Sequence, residues 1–162
     1  MYSKYTGTYK NEHRKILVPL DFECETSEQI TAAIEFAQML GTEMHIFAIQ
    51  TSGGKGEEMK LLTKLGKTKK VIEETGINCE SELIQEEKLS VPEIISETAI
   101  KNKSALVVIM TRQESRITEY VLGSNARDII SSMDIPVLSI QPWDTKEGSK
   151  IFSLLYDPLN VY

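Results

Sequence analysis

Cysteine and histidine are scarce: two of each stand in 162 residues, beside a single tryptophan. Cys24 and Cys79 are far apart, make no CxxC pair and have only His13 and His45 to join them, so neither a zinc site nor a disulfide framework is expected. Reduced thiols in the cytoplasm are the expectation. No apolar run reaches membrane-spanning length, and Met1 to Lys15 is polar and rich in Tyr and Lys without the apolar centre of a signal peptide. A soluble, unexported protein is expected. The formal charge of −6 repels a phosphate backbone and an anionic bilayer alike, which argues against nucleic-acid and membrane partners. His13 and His45 have no Ser, Cys or carboxylate pattern around them, so no catalytic residue and no metal ligand is expected.

What the chain does contain is apolar runs alternating with amphipathic stretches. Ala105 to Met110 is continuously apolar and of strand length, the mark of a strand buried on both faces of a parallel sheet. Ile16, Leu17 and Val18 form another such run, and Pro19, which cannot donate to a ladder, places its end there. Met44 to Ile49 and Val137 to Ile140 read as two further strands, and Ile77 to Ile84 alternates weakly, as an edge strand does.

Helices fall between them. Thr26 and Gln29 have capping-box spacing, Ile30, Ala33, Ile34, Ala37 and Leu40 share one face, and Gly41 supplies a left-handed stop. Thr51 to Gly56 is a loop by composition. From Glu57 to Thr75, Met59, Leu62, Leu65 and Ile72 lie on one predicted face while Lys60, Lys64, Lys67 and Lys70 crowd a solvated one. Ser90 and Glu93 bracket Pro92 at the next helix start, with Ile94, Ile95 and Ala99 buried. A last helix carries Ala126, Ile129, Ile130 and Met133. About five alternations of strand and helix predict an α/β layer structure with a mostly parallel sheet and right-handed crossovers.

The expected organisation is a flexible arm over 1–14, one domain over 15–142 and an apolar tail over 143–162. Phe152, Leu155 and Tyr156 of the tail are expected to pack on a neighbouring surface, either a dimer partner or the chain's own helices.

Three phosphate motifs fail on position. Gly66-Lys67-Thr68 has the end of a Walker A loop, but its first glycine would fall at Leu61 and the segment lies within a helix. Ser52-Gly53-Gly54 follows the second strand and lacks the Asp-Ser of a pyrophosphate loop. A phospho-acceptor receiver needs an Asp after the third strand and a Lys after the fifth, where Gln85-Glu86 and Gln141-Pro142-Trp143 stand.

Ligands of open parallel sheets sit outside the carboxyl ends of the strands, which directs attention to Leu20-Asp21 and to the segment after Met110. Val18-Pro19-Leu20-Asp21, the strand Ala105 to Met110, Gly123-Ser124 and Ile135-Pro136-Val137-Leu138-Ser139-Ile140 together resemble the universal stress protein family over roughly 15 to 141. The resemblance implies an open five-stranded parallel sheet, order 3-2-1-4-5, with helices on both faces, of the adenine-nucleotide alpha-hydrolase type. It also implies a homodimer through the last strand, Val137 to Ile140, and unidentified protein partners.

Many members bind ATP with a motif GxxG, nine residues, then G(S/T), and an Asp after the first strand. The final Gly123-Ser124 is kept, whereas Met110 and Gln113 stand where the earlier glycines belong. Where such a glycine is left-handed, a side chain costs roughly 1–2 kcal/mol. Two such positions weaken binding about 30-fold to 1000-fold. No cofactor is expected; ATP or AMP is the ligand class that the resemblance implies. The candidate binding residues are Leu20, Asp21, Met110, Arg112, Gln113, Arg116, Gly123, Ser124 and Asn125. Arg112, Arg116 and Arg127 are guanidinium forks that could replace the lost amides at the phosphates, or be solvated while Ser124 caps a helix.

Overall fold

The computed structural model describes residues 14–22, 26–110, 127–129, 131 and 133–140. Its elements are Lys15–Pro19 (β1), Ser27–Leu40 (α1), Glu43–Gln50 (β2), Lys55–Glu74 (α2), Cys79–Gln85 (β3), Val91–Lys101 (α3), Leu106–Met110 (β4) and Val137–Ile140 (β5). Residues 127–129 and 131 are also helical. The five strands make one parallel sheet in the order β3-β2-β1-β4-β5, as expected.

The burial of β1 and β4 on both faces explains their unbroken apolar runs. Ile16, Val18, Leu106 and Val108 project into one layer, where they meet Ile30, Ala33 and Ala37 of α1 and Leu65 and Ile72 of α2. Leu17, Val107 and Ile109 project into the other, against Ile94, Ile95 and Ala99 of α3 and against Ile129. Burial of such side chains is worth about 1.5–3 kcal/mol each before the entropy of ordering them is counted.

Local signals act where they were expected at two helix ends. Gly41 closes α1 with φ +61°, and the Glu93 carboxylate accepts from the Ser90 N–H (2.8 Å) and hydroxyl (2.7 Å) at the start of α3. Those two hydrogen bonds hold the Glu93 carboxyl below the ordinary range. Gly53 is needed where it stands: φ is +120°, and a Cβ there would run into the Glu57 carboxylate.

Two expectations about α2 need correction. The helix begins at Lys55, so Lys55 and Gly56, expected in a loop, are helical. Met59 and Leu62 are exposed, and the buried positions are Leu65, Thr68 and Ile72. The covered face of α2 runs through Leu61, Leu65, Thr68 and Ile72, so Met59 and Leu62 stand off it. Leu40, at the end of α1, is also exposed. The proposed arm (except Arg14), Cys24, Ala126, Ile130 and the tail with Phe152, Leu155 and Tyr156 lie outside the described residues.

Candidate functional site

β1 stays with β2 along its whole length, from Lys15↔Glu43 to Pro19↔Phe47, and the Leu20 N–H extends the pairing by donating to the Phe47 carbonyl at 2.7 Å. Its ladder with β4 is shorter and ends at Leu17↔Val107, although β1 runs on to Pro19 and β4 to Met110. The next rung would need an N–H from Pro19, which has none, so the β1–β4 ladder stops at the point where successive crossovers turn to opposite faces of the sheet.

Gln29 sits where that ladder stops. Its side chain is buried, and Nε2 donates to the Pro19 carbonyl at 2.9 Å and to the Val108 carbonyl at 2.9 Å. This overturns the expected Thr26–Gln29 capping box: Thr26 makes no side-chain cap hydrogen bond, and Gln29 points inward between two strands. Spacing alone could not separate the two roles, because Gln29 sits in the first turn of α1 in both.

Above Gln29 lie three of the nine candidate residues. Leu20 is buried, Asp21 is exposed just beyond it, and Met110 is half-buried at the last position of β4. Met110 has no positive φ, so the backbone strain argued from the lost glycine is not stored here; its Cβ and side chain simply occupy the place. Arg112, Gln113, Arg116, Gly123, Ser124 and Asn125 lie outside the described residues. Arg127 is exposed in the helical stretch that follows.

Lys64 of α2, expected on the solvated face, also belongs to this end of the molecule. Its Nζ donates to the Phe22 carbonyl at 3.2 Å and lies 5.5 Å from the centre of the Phe22 ring. A cation–π contact of this kind is worth about 0.5–1 kcal/mol where exposed, and it ties down the turn that carries Asp21.

An adenosine fits such an arrangement in its chemistry. Met110, half-buried at its strand end, gives apolar surface for a base, and the exposed Asp21 carboxylate is an acceptor suited to ribose hydroxyls, while Leu20 is packed into the core beneath. Among the described residues no cluster of His, Cys, Asp or Glu suits a metal ion. Burial, with the nearby Glu73 carboxylate, pushes the Cys79 thiol up to about 12, so Cys79 is no nucleophile at neutral pH. Among the described residues no helix is long and apolar enough to cross a membrane.

Five parallel strands in the order β3-β2-β1-β4-β5, with the candidate residues just beyond β1 and at the end of β4, define a doubly wound α/β class of fold. Residues 12–141 match the Universal stress protein family, and the chain belongs to that family. A universal stress protein of Methanocaldococcus jannaschii is 29% identical over 146 residues, which cover 82% of this chain and 84% of the relative. The structure of a universal stress protein from Archaeoglobus fulgidus superposes with TM-score 0.68 at 24% identity, covering 78% of this chain and 98% of that one. The Archaeoglobus fulgidus protein in complex with dAMP gives TM-score 0.63 at 24% identity, over 78% and 97% of the two chains. A universal stress protein in complex with cAMP gives 0.63 at 16% identity, over 80% and 97%.

Proposed function

We propose that the protein is a non-catalytic regulatory member of its family, cytoplasmic and homodimeric through β5, which acts on protein partners and has lost the grip on a triphosphate. The observation that carries this reading is Met110. A thioether side chain follows from the last position of β4, where members that bind ATP offer a bare backbone, and Gln113 repeats the loss three residues on. Native mass spectrometry of the freshly purified protein, with calorimetry against ATP, tests it: the expected result is a dimer mass without retained nucleotide. Micromolar ATP affinity, or ATP carried through purification, overturns it.

A second reading keeps an adenine nucleotide with a single phosphate as the switch. It is supported by the exposed Asp21 just beyond β1, where the β1–β4 ladder stops, and by similar proteins solved with dAMP and cAMP. In this reading Asp21 and Gly123-Ser124 hold the nucleoside and phosphate, with Arg112 or Arg116 in place of the missing amides. Unchanged AMP affinity in Arg116→Ala and Gly123→Ala would remove it.

A further inference from the structure

A proline at the end of a central strand leaves one acceptor on the neighbouring strand without its usual donor. The Val107 N–H donates to the Pro136 carbonyl on the β5 side, so by strand alternation Val108 turns its carbonyl toward β1. Continuing the Leu17↔Val107 register by two residues would set the Pro19 nitrogen against that carbonyl, and the Met110 N–H against the Pro19 carbonyl. The first of these bonds has no hydrogen to make it. The Gln29 amide takes both acceptors, Val108 O and Pro19 O, each at 2.9 Å.

We propose that Gln29 is a positioning residue: its amide stands in for the N–H that Pro19 lacks and, by taking the Pro19 carbonyl as well, stops β4 from zipping onto β1, which keeps the cleft open for an adenine nucleotide. The inference rests on the second reading above for its ligand, and on strand geometry alone for the wedge. Gln29 touches no ligand. It acts through the separation of Asp21 at the end of β1 from Met110 at the end of β4. A buried amide is well suited to this, because each of its two hydrogens can satisfy one strand and neither carbonyl is left unpaired. A hydrophobic residue at position 29 would leave the Val108 carbonyl unsatisfied and free the Pro19 carbonyl to take the Met110 N–H, which draws β4 in on β1.

The role separates from mere stability through Pro19→Ala, which returns the missing donor. Four proteins are compared: the natural chain, Gln29→Met, Pro19→Ala, and the double variant. Thermal unfolding, calorimetry with AMP and hydrogen exchange at the Met110 amide are the readouts. Gln29→Met is expected to melt earlier and to bind AMP at least tenfold more weakly. The double variant is expected to recover most of the melting temperature and to gain protection at Met110, as the ladder closes onto the restored N–H at position 19, yet to keep the weakened AMP affinity. Pro19→Ala alone, with Gln29 competing for the same acceptors, is expected to fold and to lose AMP affinity severalfold.

A double variant that binds AMP like the natural chain would show Gln29 to be a structural plug and overturn the inference. If the natural chain binds no AMP, the second reading falls by itself. The wedge is then decided by Met110 exchange: slower exchange in the double variant supports it, and unchanged exchange overturns it.

Discussion

The His45 Nε2 lies 3.4 Å from the Glu82 carboxylate on the neighbouring strand, and Nδ1 lies 3.9 Å from Glu80. Neither ring nitrogen has a hydrogen-bond partner among the described residues, although the imidazole is buried. Carboxylates only accept, and a neutral imidazole carries one N–H, so at least one ring nitrogen faces an acceptor with nothing to give. A buried polar atom left unpaired costs about 1–3 kcal/mol. His45→Val, which also suits a central strand, is therefore expected to raise stability by about 1 kcal/mol at pH 8 in urea unfolding. A loss of stability would mean that the packing of the ring, edge-on to Phe47, outweighs its unpaired nitrogens.

Beside this ring the Lys15 ammonium meets Glu80 at 2.6 Å, bridging β1 and β3 across β2. That hydrogen bond holds the Glu80 carboxyl below the ordinary range. The folded value lies below the unfolded one, so the stabilisation is complete above the unfolded carboxyl range and fades as pH falls through the lowered value. Glu80 is more than half exposed, which limits the gain to at most about 1 kcal/mol. Glu80→Gln is expected to unfold more easily at pH 7, with a difference that shrinks below about pH 4 and in high salt. A deficit that persists at pH 3 would contradict this account.

Lys103 carries the only positive φ of a non-glycine residue among those described, +49°, in the exposed turn between α3 and β4. A left-handed side-chain residue costs roughly 1–2 kcal/mol, and glycine avoids that at some expense in unfolded-state entropy. Lys103→Gly is expected to gain about 0.5–1 kcal/mol. For a chain of this size the melting temperature should rise by about 1–4 °C. An unchanged or lower melting temperature would show that the Lys103 side chain returns as much as its backbone loses.

That β1 and β4 are buried strands was legible in the apolar runs around Leu17 and Val107, and the weak alternation around Glu80 and Glu82 marks an edge, whereas the order of the five strands came from the family resemblance. The helix ends at Gly41 and Ser90 were legible from single residues whose chemistry is local. Gln29 was not: a glutamine three residues after a threonine reads as a cap, and its inward turn depends on two carbonyls distant in sequence that only the assembled sheet brings together. Lys64 was hidden in the same way among other lysines of α2, since its partner Phe22 lies 42 positions away. Met59 and Leu62 show the reverse error: they are apolar but stand off the covered face, which Leu61 continues. At the site itself, Pro19 already marked the end of the β1 ladder in the sequence, but that the Gln29 amide takes the two carbonyls left there is visible only in three dimensions.

The homodimer proposed through β5 has a specific test. β5 is the last strand in the described sheet, and all four of its residues are half-buried. Since the Val107 N–H reaches back to Pro136 and Val107 pairs with Val137, alternation turns the Leu138 N–H toward β4 and the Ser139 N–H away from it. A proline is tolerated on an edge strand where its nitrogen faces outward, but it cannot donate to a strand added there. Ser139→Pro is thus expected to leave the melting temperature of the isolated subunit little changed while light scattering shows the mass fall from dimer to monomer. Leu138→Pro, one residue earlier, would remove a bond to β4 and should destabilise the fold itself. If Ser139→Pro remains a dimer, the two copies meet somewhere other than along the outer ladder of β5.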